Sequence, residues 1–145
     1  MRLHAWLVHF PLGLIATAAL VDLAALAAGR PGALRRAASG LYAAGAATLI
    51  AAYVTGRDDA AVVRVPGLAH PLVGAHWTWA LWTTSYLGAV SAARLALDLS
   101  GRLAVRRRWL PVAAACAVGL LLLAQTAERG GRLVYQYGVG VAAPR

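Results

Sequence analysis

Four long apolar runs, separated by short stretches rich in arginine, glycine and proline, organise the chain. They cover residues 5–28, 37–56, 76–99 and 109–127. Each approaches the roughly 20 apolar residues that an α-helix needs to cross a hydrocarbon core. The pattern predicts an all-α, integral membrane four-helix bundle built as a single membrane domain over 1–145, with helices at about 5–28, 37–56, 72–99 and 109–127. Pro71 suits the first turn of the third helix, where its missing N–H costs nothing. Within the second run, Ser39, Ala43, Ala47 and Ala51 recur four apart, a spacing that lets a neighbouring backbone approach closely and marks this helix as the central packing element.

The tail after the fourth run, 128–145, is unlike a disordered end. Leu133, Val134, Tyr135, Tyr137, Val139 and Val141 are apolar or aromatic, and glycines at 130, 131, 138 and 140 permit tight turns or close backbone approach. An ordered C-terminal segment that folds back and caps the outer face of the bundle is expected.

Composition agrees with the run lengths: 61% of the residues are hydrophobic and 13% charged, against about 25% charged in an ordinary soluble domain. Mean hydropathy is +0.65. The first run follows Arg2 and ends in small residues like a signal peptide, yet it exceeds the usual h-region of about 7–15 residues and contains His9, Pro11 and Asp22. It is taken as a membrane helix.

All 14 basic residues are arginines. Arg30, Arg35 and Arg36 fall in the first connection and Arg102, Arg106, Arg107 and Arg108 in the third, so these two connections are expected on the cytoplasmic side of a bacterial inner membrane. In the second, Arg57 and Arg64 are offset by Asp58 and Asp59. Arg129, Arg132 and Arg145 lie in the tail. Both termini would then be outside. The net charge of +9 would suggest nucleic acid in a soluble protein, but the arginines are divided between loops and face anionic lipid head groups instead. The chain's partners are the lipid membrane and no nucleic acid, with homo-oligomerisation left open.

Charges at membrane depth need partners. Asp22, Arg94 and Asp98 lie in the half of the bundle away from the histidines, and Asp22 is expected to contact Arg94 directly or through Asp98. Cys116, alone, reads as a small buried hydrophobe.

The four histidines all fall at the same end. His4 and His9 open the first run, and His70 and His76 open the third. Five residues rotate a helix by roughly 140°, so His4 and His9 cannot both face one small site. By depth, His9 and His76 are level, which makes them the preferred pair, with His4 and His70 as further candidates. Two imidazoles on facing helices are what a haem b iron takes as axial ligands. Trp6, Phe10, Trp77, Trp79 and Trp82 could wall the macrocycle, and Gln125, Arg129, Arg132 and the tyrosines could meet its propionates. Copper or zinc also suits imidazole but would need a third ligand, which only His4 or His70 could supply. No P-loop, HExxH or Ser-His-Asp arrangement is present, so nothing marks an independent enzyme.

His4-Ala-Trp-Leu-Val-His9-Phe10-Pro11, together with Gly130-Gly131-Arg-Leu-Val-Tyr135-Gln-Tyr137-Gly138-Val139-Gly140-Val141, resembles the bacterial four-helix membrane proteins catalogued as domain of unknown function 2231. The resemblance spans essentially the whole chain. Members commonly carry His-Pro where this chain has His4-Ala5. Some are fused to Rieske or c-type cytochrome modules, which implies membrane electron transfer, with a redox partner subunit or a soluble cytochrome or Rieske-type protein at the outer face and quinone or another carrier in the membrane. The reading from a different class is a non-redox membrane subunit whose histidines are structural.

Overall fold

The computed structural model describes residues 3–28 and 32–141. Arg2, Arg30 and Arg145, which entered the charge argument, lie outside them. The described chain is helical throughout: α1 (Leu3–Leu7), α2 (His9–Ala28), α3 (Gly32–Ala60), α4 (His70–Leu99) and α5 (Arg106–Tyr135). α1 and α2 act as one 26-residue span, interrupted at Val8. Pro11 explains the interruption, since it has no N–H to give to the Leu7 carbonyl four residues back and its ring crowds that oxygen.

Connections follow the turn chemistry. A 3₁₀ turn at Gly67–Ala69 leads into α4, whose first turn carries Pro71. α4 stops at Gly101, which adopts φ 72° as only glycine does without strain. A second 3₁₀ turn, Arg102–Ala104, buries Leu103 and leads into α5.

α2 packs on α3, α3 on α4, α4 on α5, and α2 on α5 closes the ring. The bundle is up-down-up-down, with α2 and α4 diagonal to each other. All the histidines lie at one end; Arg36, Arg102 and Arg106 to Arg108 lie exposed at the other. Ile15, Tyr42, Leu49, Leu87, Cys116 and Leu123 form the main core, and Ala25, Leu103 and Trp109 a second one toward the arginine end.

The span Leu3–Ala28, α3 and α5 are each long and apolar enough to cross a membrane. α4 is as long as α5 but its histidines, threonines, Arg94 and Asp98 dilute its apolar content, and it completes the bundle between α3 and α5.

The helices outrun the apolar runs. α3 spans Gly32–Ala60 rather than 37–56, so Arg35 and Arg36 belong to a helix and not to a loop. α5 continues to Tyr135 rather than ending at 127. The expected fold-back therefore shrinks to a tight turn, in which Gly138, at φ 64°, sends its N–H to the Val134 carbonyl and the N–H of Val139 reaches Leu133. Gly130 and Gly131 each cost about 1 kcal/mol in a helix, yet α5 runs on through both, with Gly130 packed against His76. The small-residue face also differs: Ala47 and Ala51 are exposed, and Ala38, Ser39, Tyr42, Gly45, Ala46, Leu49 and Ala52 face the core. Alanine is so frequent in this chain that spacing alone did not single out the packed face.

Toward the arginine end the buried charges are paired. Arg94, wholly inaccessible, makes two bonds to Asp22, Nη1 to Oδ2 at 2.6 Å and Nη2 to Oδ1 at 2.7 Å. Its Nε donates to Ser39 Oγ, its guanidinium lies 4.8 Å from the Tyr42 ring centre, and Nη1 approaches Cys116 Sγ. Trp109 Nε1 is 3.4 Å from Asp22 Oδ1. Asp98 does not mediate this contact, because it forms a separate buried ion pair with Arg35.

Candidate functional site

His4 and His76 share the histidine end of the bundle interior. They sit on diagonal elements, His4 on α1 and His76 on α4. Each is half-buried. His4 Nδ1 is 2.8 Å from the carbonyl oxygen of Ala52 on α3, and His76 Nδ1 is 3.1 Å from that of Thr126 on α5. A carbonyl oxygen only accepts, so in both rings Nδ1 carries the proton and donates. In a neutral ring that leaves Nε2 with its lone pair.

Each imidazole lies against a glycine. A Cβ on Gly56 would come within 2.7 Å of His4 Cε1, and one on Gly130 within 3.0 Å of His76 Cε1. These glycines stand one helical turn after the accepting residues, Ala52 and Thr126. The missing side chain is what opens each carbonyl to a ring from the neighbouring helix. Below His76, the Thr83 and Thr126 hydroxyls lie 2.8 Å apart and each within reach of the Leu122 carbonyl, so that one donates to the other and the second to Leu122, which fixes the α4–α5 contact beside the ring.

The other two histidines are elsewhere. His9 is exposed, its Nδ1 3.3 Å from the Trp6 carbonyl of the preceding turn, and His70 is exposed at the start of α4. The preferred pair therefore shifts from His9 and His76 to His4 and His76. Depth alone favoured His9; the phase of the helix, reset at Val8, points His4 inward.

Arg129 stacks over Trp79 at 4.3 Å and donates to the carbonyl and the side-chain oxygen of Gln125. It directly precedes Gly130, against which His76 lies. Arg132 bonds Gln136 on the exposed side of α5. Trp6, Phe10, Trp77 and Trp82 are exposed at 59%, 52%, 37% and 67%, so they face lipid or its interface and do not wall the interior; Trp77 stacks on Tyr53. Trp79 and Trp82 instead line an open apolar groove with Tyr86 and Leu122. Tyr135 is exposed.

Among the described residues no group of three or more histidine, cysteine or acidic side chains could hold a metal ion. A copper or zinc site with three protein ligands is thus not formed there. The residues that sequence reasoning missed are Gly56, Ala52, Thr126 and Thr83, which carry no chemistry of their own and act by holding the rings.

Four helices in alternating direction, three of them apolar enough to cross a membrane, with the buried charges paired inside, define an integral membrane four-helix bundle. The chain belongs to the family described as predicted membrane protein, DUF2231, whose model matches residues 1–143. No curated protein and no solved structure matches it.

Proposed function

We propose that the protein is a membrane subunit that binds one haem b between His4 and His76 and passes electrons between a redox partner at that face and quinone or another membrane carrier. The observation that carries this reading is the pair of diagonal imidazoles with Nδ1 donated to backbone carbonyls, which orients both rings and leaves both Nε2 atoms as ligands. Ligating histidines characteristically have the second nitrogen held in this way. Haem needs only two protein ligands, because the macrocycle brings four nitrogens, and that matches the donor set better than copper or zinc. When bound, haem supplies one-electron chemistry. Arg129, beside His76, is the cation available to its propionates.

The partner is a soluble cytochrome or Rieske-type protein, or a further subunit of an oxidoreductase complex. The membrane is the bacterial inner membrane, with both termini and the histidine end outside, since five of the eight exposed arginines among the described residues, Arg36, Arg102 and Arg106 to Arg108, lie at the opposite end.

Reduced-minus-oxidised visible spectra of the detergent-purified protein, produced with ample haem, test the reading. Wild type gives low-spin b-type bands. His4→Ala or His76→Ala converts them to high spin or removes them, and His9→Ala and His70→Ala leave them unchanged. A wild-type spectrum without haem bands overturns the proposal and leaves both imidazoles as packing groups of a non-redox subunit.

A further inference from the structure

The two ring sites repeat each other, and so does what lies beneath them. His76, Leu87 and Arg94 stand 72 residues after His4, Ile15 and Asp22; Gly119, Leu123, Thr126 and Gly130 stand 74 after Gly45, Leu49, Ala52 and Gly56. Each matched set plays one part. His4 and His76 lie on Gly56 and Gly130 and donate to Ala52 and Thr126. Eleven residues further along their helices, Ile15 and Leu87 lie on Gly45 and Gly119, where an added Cβ would collide with either side chain. Leu49 and Leu123 are both buried in the main core. Asp22 and Arg94, at one matched position, meet each other.

Chance does not readily produce this. In an antiparallel pair, moving eleven residues forward on one helix requires moving eleven back on the other. His4 to Ile15 against Gly56 to Gly45, and His76 to Leu87 against Gly130 to Gly119, obey the same register. Residues that meet their own counterparts, as Asp22 meets Arg94, lie on a two-fold axis, which for α1–α2 and α4 on the diagonal runs along the bundle.

We infer that the chain is two copies of one helical hairpin fused in tandem, α1 to α3 and α4 to α5, and that the histidine site is assembled from two equivalent half-sites, one from each hairpin. A half-site is an imidazole, the carbonyl that orients it and the glycine it lies on. Such a site takes one ligand per chain, approached from two like sides, and Gly56 and Gly130 are its positioning residues. The ligand's identity rests on the haem reading; the half-sites do not. The copies have diverged at the far end, where Asp22 faces Arg94 and Tyr42 is matched by Cys116, so the unlike residues specify which hairpin pairs with which.

Nitrogen-15 spectra of the full-length protein labelled at histidine in detergent test this, because the two neutral tautomers have distinct shifts. Besides His9, whose Nδ1 also faces a carbonyl and whose signal His9→Ala identifies, wild type shows two Nδ1–H histidines, one lost in His4→Ala and the other in His76→Ala. Gly56→Ala pushes the His4 ring off the Ala52 carbonyl and removes the His4 signal alone; Gly130→Ala removes that of His76 alone. Gly45→Ala and Gly119→Ala, which crowd Ile15 and Leu87 instead, keep both. Fewer than two Nδ1–H histidines besides His9 in wild type, or glycine variants that leave both signals in place, overturn the half-site reading. If a glycine variant does not accumulate, the wild-type count and the two histidine variants still decide. Two Nδ1–H signals in a protein that never binds haem would refute the cofactor and keep the half-sites.

Discussion

Replacing Asp22 with asparagine keeps the shape of the side chain and removes its charge from the most enclosed part of the bundle. The Arg94 side chain has no accessible surface and that of Asp22 has 7%, so the guanidinium would lose its counter-charge with no water to replace it. Breaking a buried pair in this way costs about 3–5 kcal/mol, or roughly two to three and a half orders of magnitude in the folding equilibrium. The competing expectation is smaller. Hydrogen bonds between membrane helices average only about 0.6 kcal/mol, because the unpacked helices find other partners within the bilayer. Two short bonds in fork geometry, with Ser39 and Tyr42 also holding the guanidinium, place this pair at the upper figure. Removing both charges, as Asp22→Leu with Arg94→Met, leaves no orphaned cation; stability should return to within about 1–2 kcal/mol of wild type, the remainder being the Trp109 N–H that loses its acceptor. Equilibrium unfolding in mixed micelles, followed by circular dichroism over the four variants of the cycle, gives the coupling directly. A cost for Asp22→Asn below about 1 kcal/mol, as for an exposed pair, or single-variant costs that simply add, would refute the argument.

Gly119→Ala should lower stability by about 1–3 kcal/mol by overpacking against Leu87, whereas Gly40→Ala, with nothing within 4 Å of the new methyl group, should be neutral or stabilising by up to about 1 kcal/mol; thermal unfolding of the two variants separates close packing from helix propensity. For topology, a cysteine replacing Tyr137 should react with an impermeant maleimide in intact cells and one replacing Arg107 only after permeabilisation, while native Cys116, fully buried, stays silent; labelling at Arg107 alone would invert the orientation.

The helices were legible because apolar runs of this length have few other fates, and the Asp22–Arg94 contact because a lone charge at that depth has few partners. Their limits were not, since hydropathy stops at the first arginine whereas the backbone continues. Hydropathy thus places Arg35 in a loop, which hides it as the partner of Asp98. The site was half legible. A separation of five residues says that only one of His4 and His9 can face inward, yet which one depends on helical phase, and phase is lost across the interruption that Pro11 imposes at Val8. The deciding signal was in the sequence at longer range. Gly45 and Gly56 are spaced as are Gly119 and Gly130, and both spacings equal those from His4 to Ile15 and from His76 to Leu87. Counting eleven forward from His9 instead gives Leu20, which is 65% exposed and meets no glycine among the described residues, so an antiparallel register shared by both hairpins selects His4.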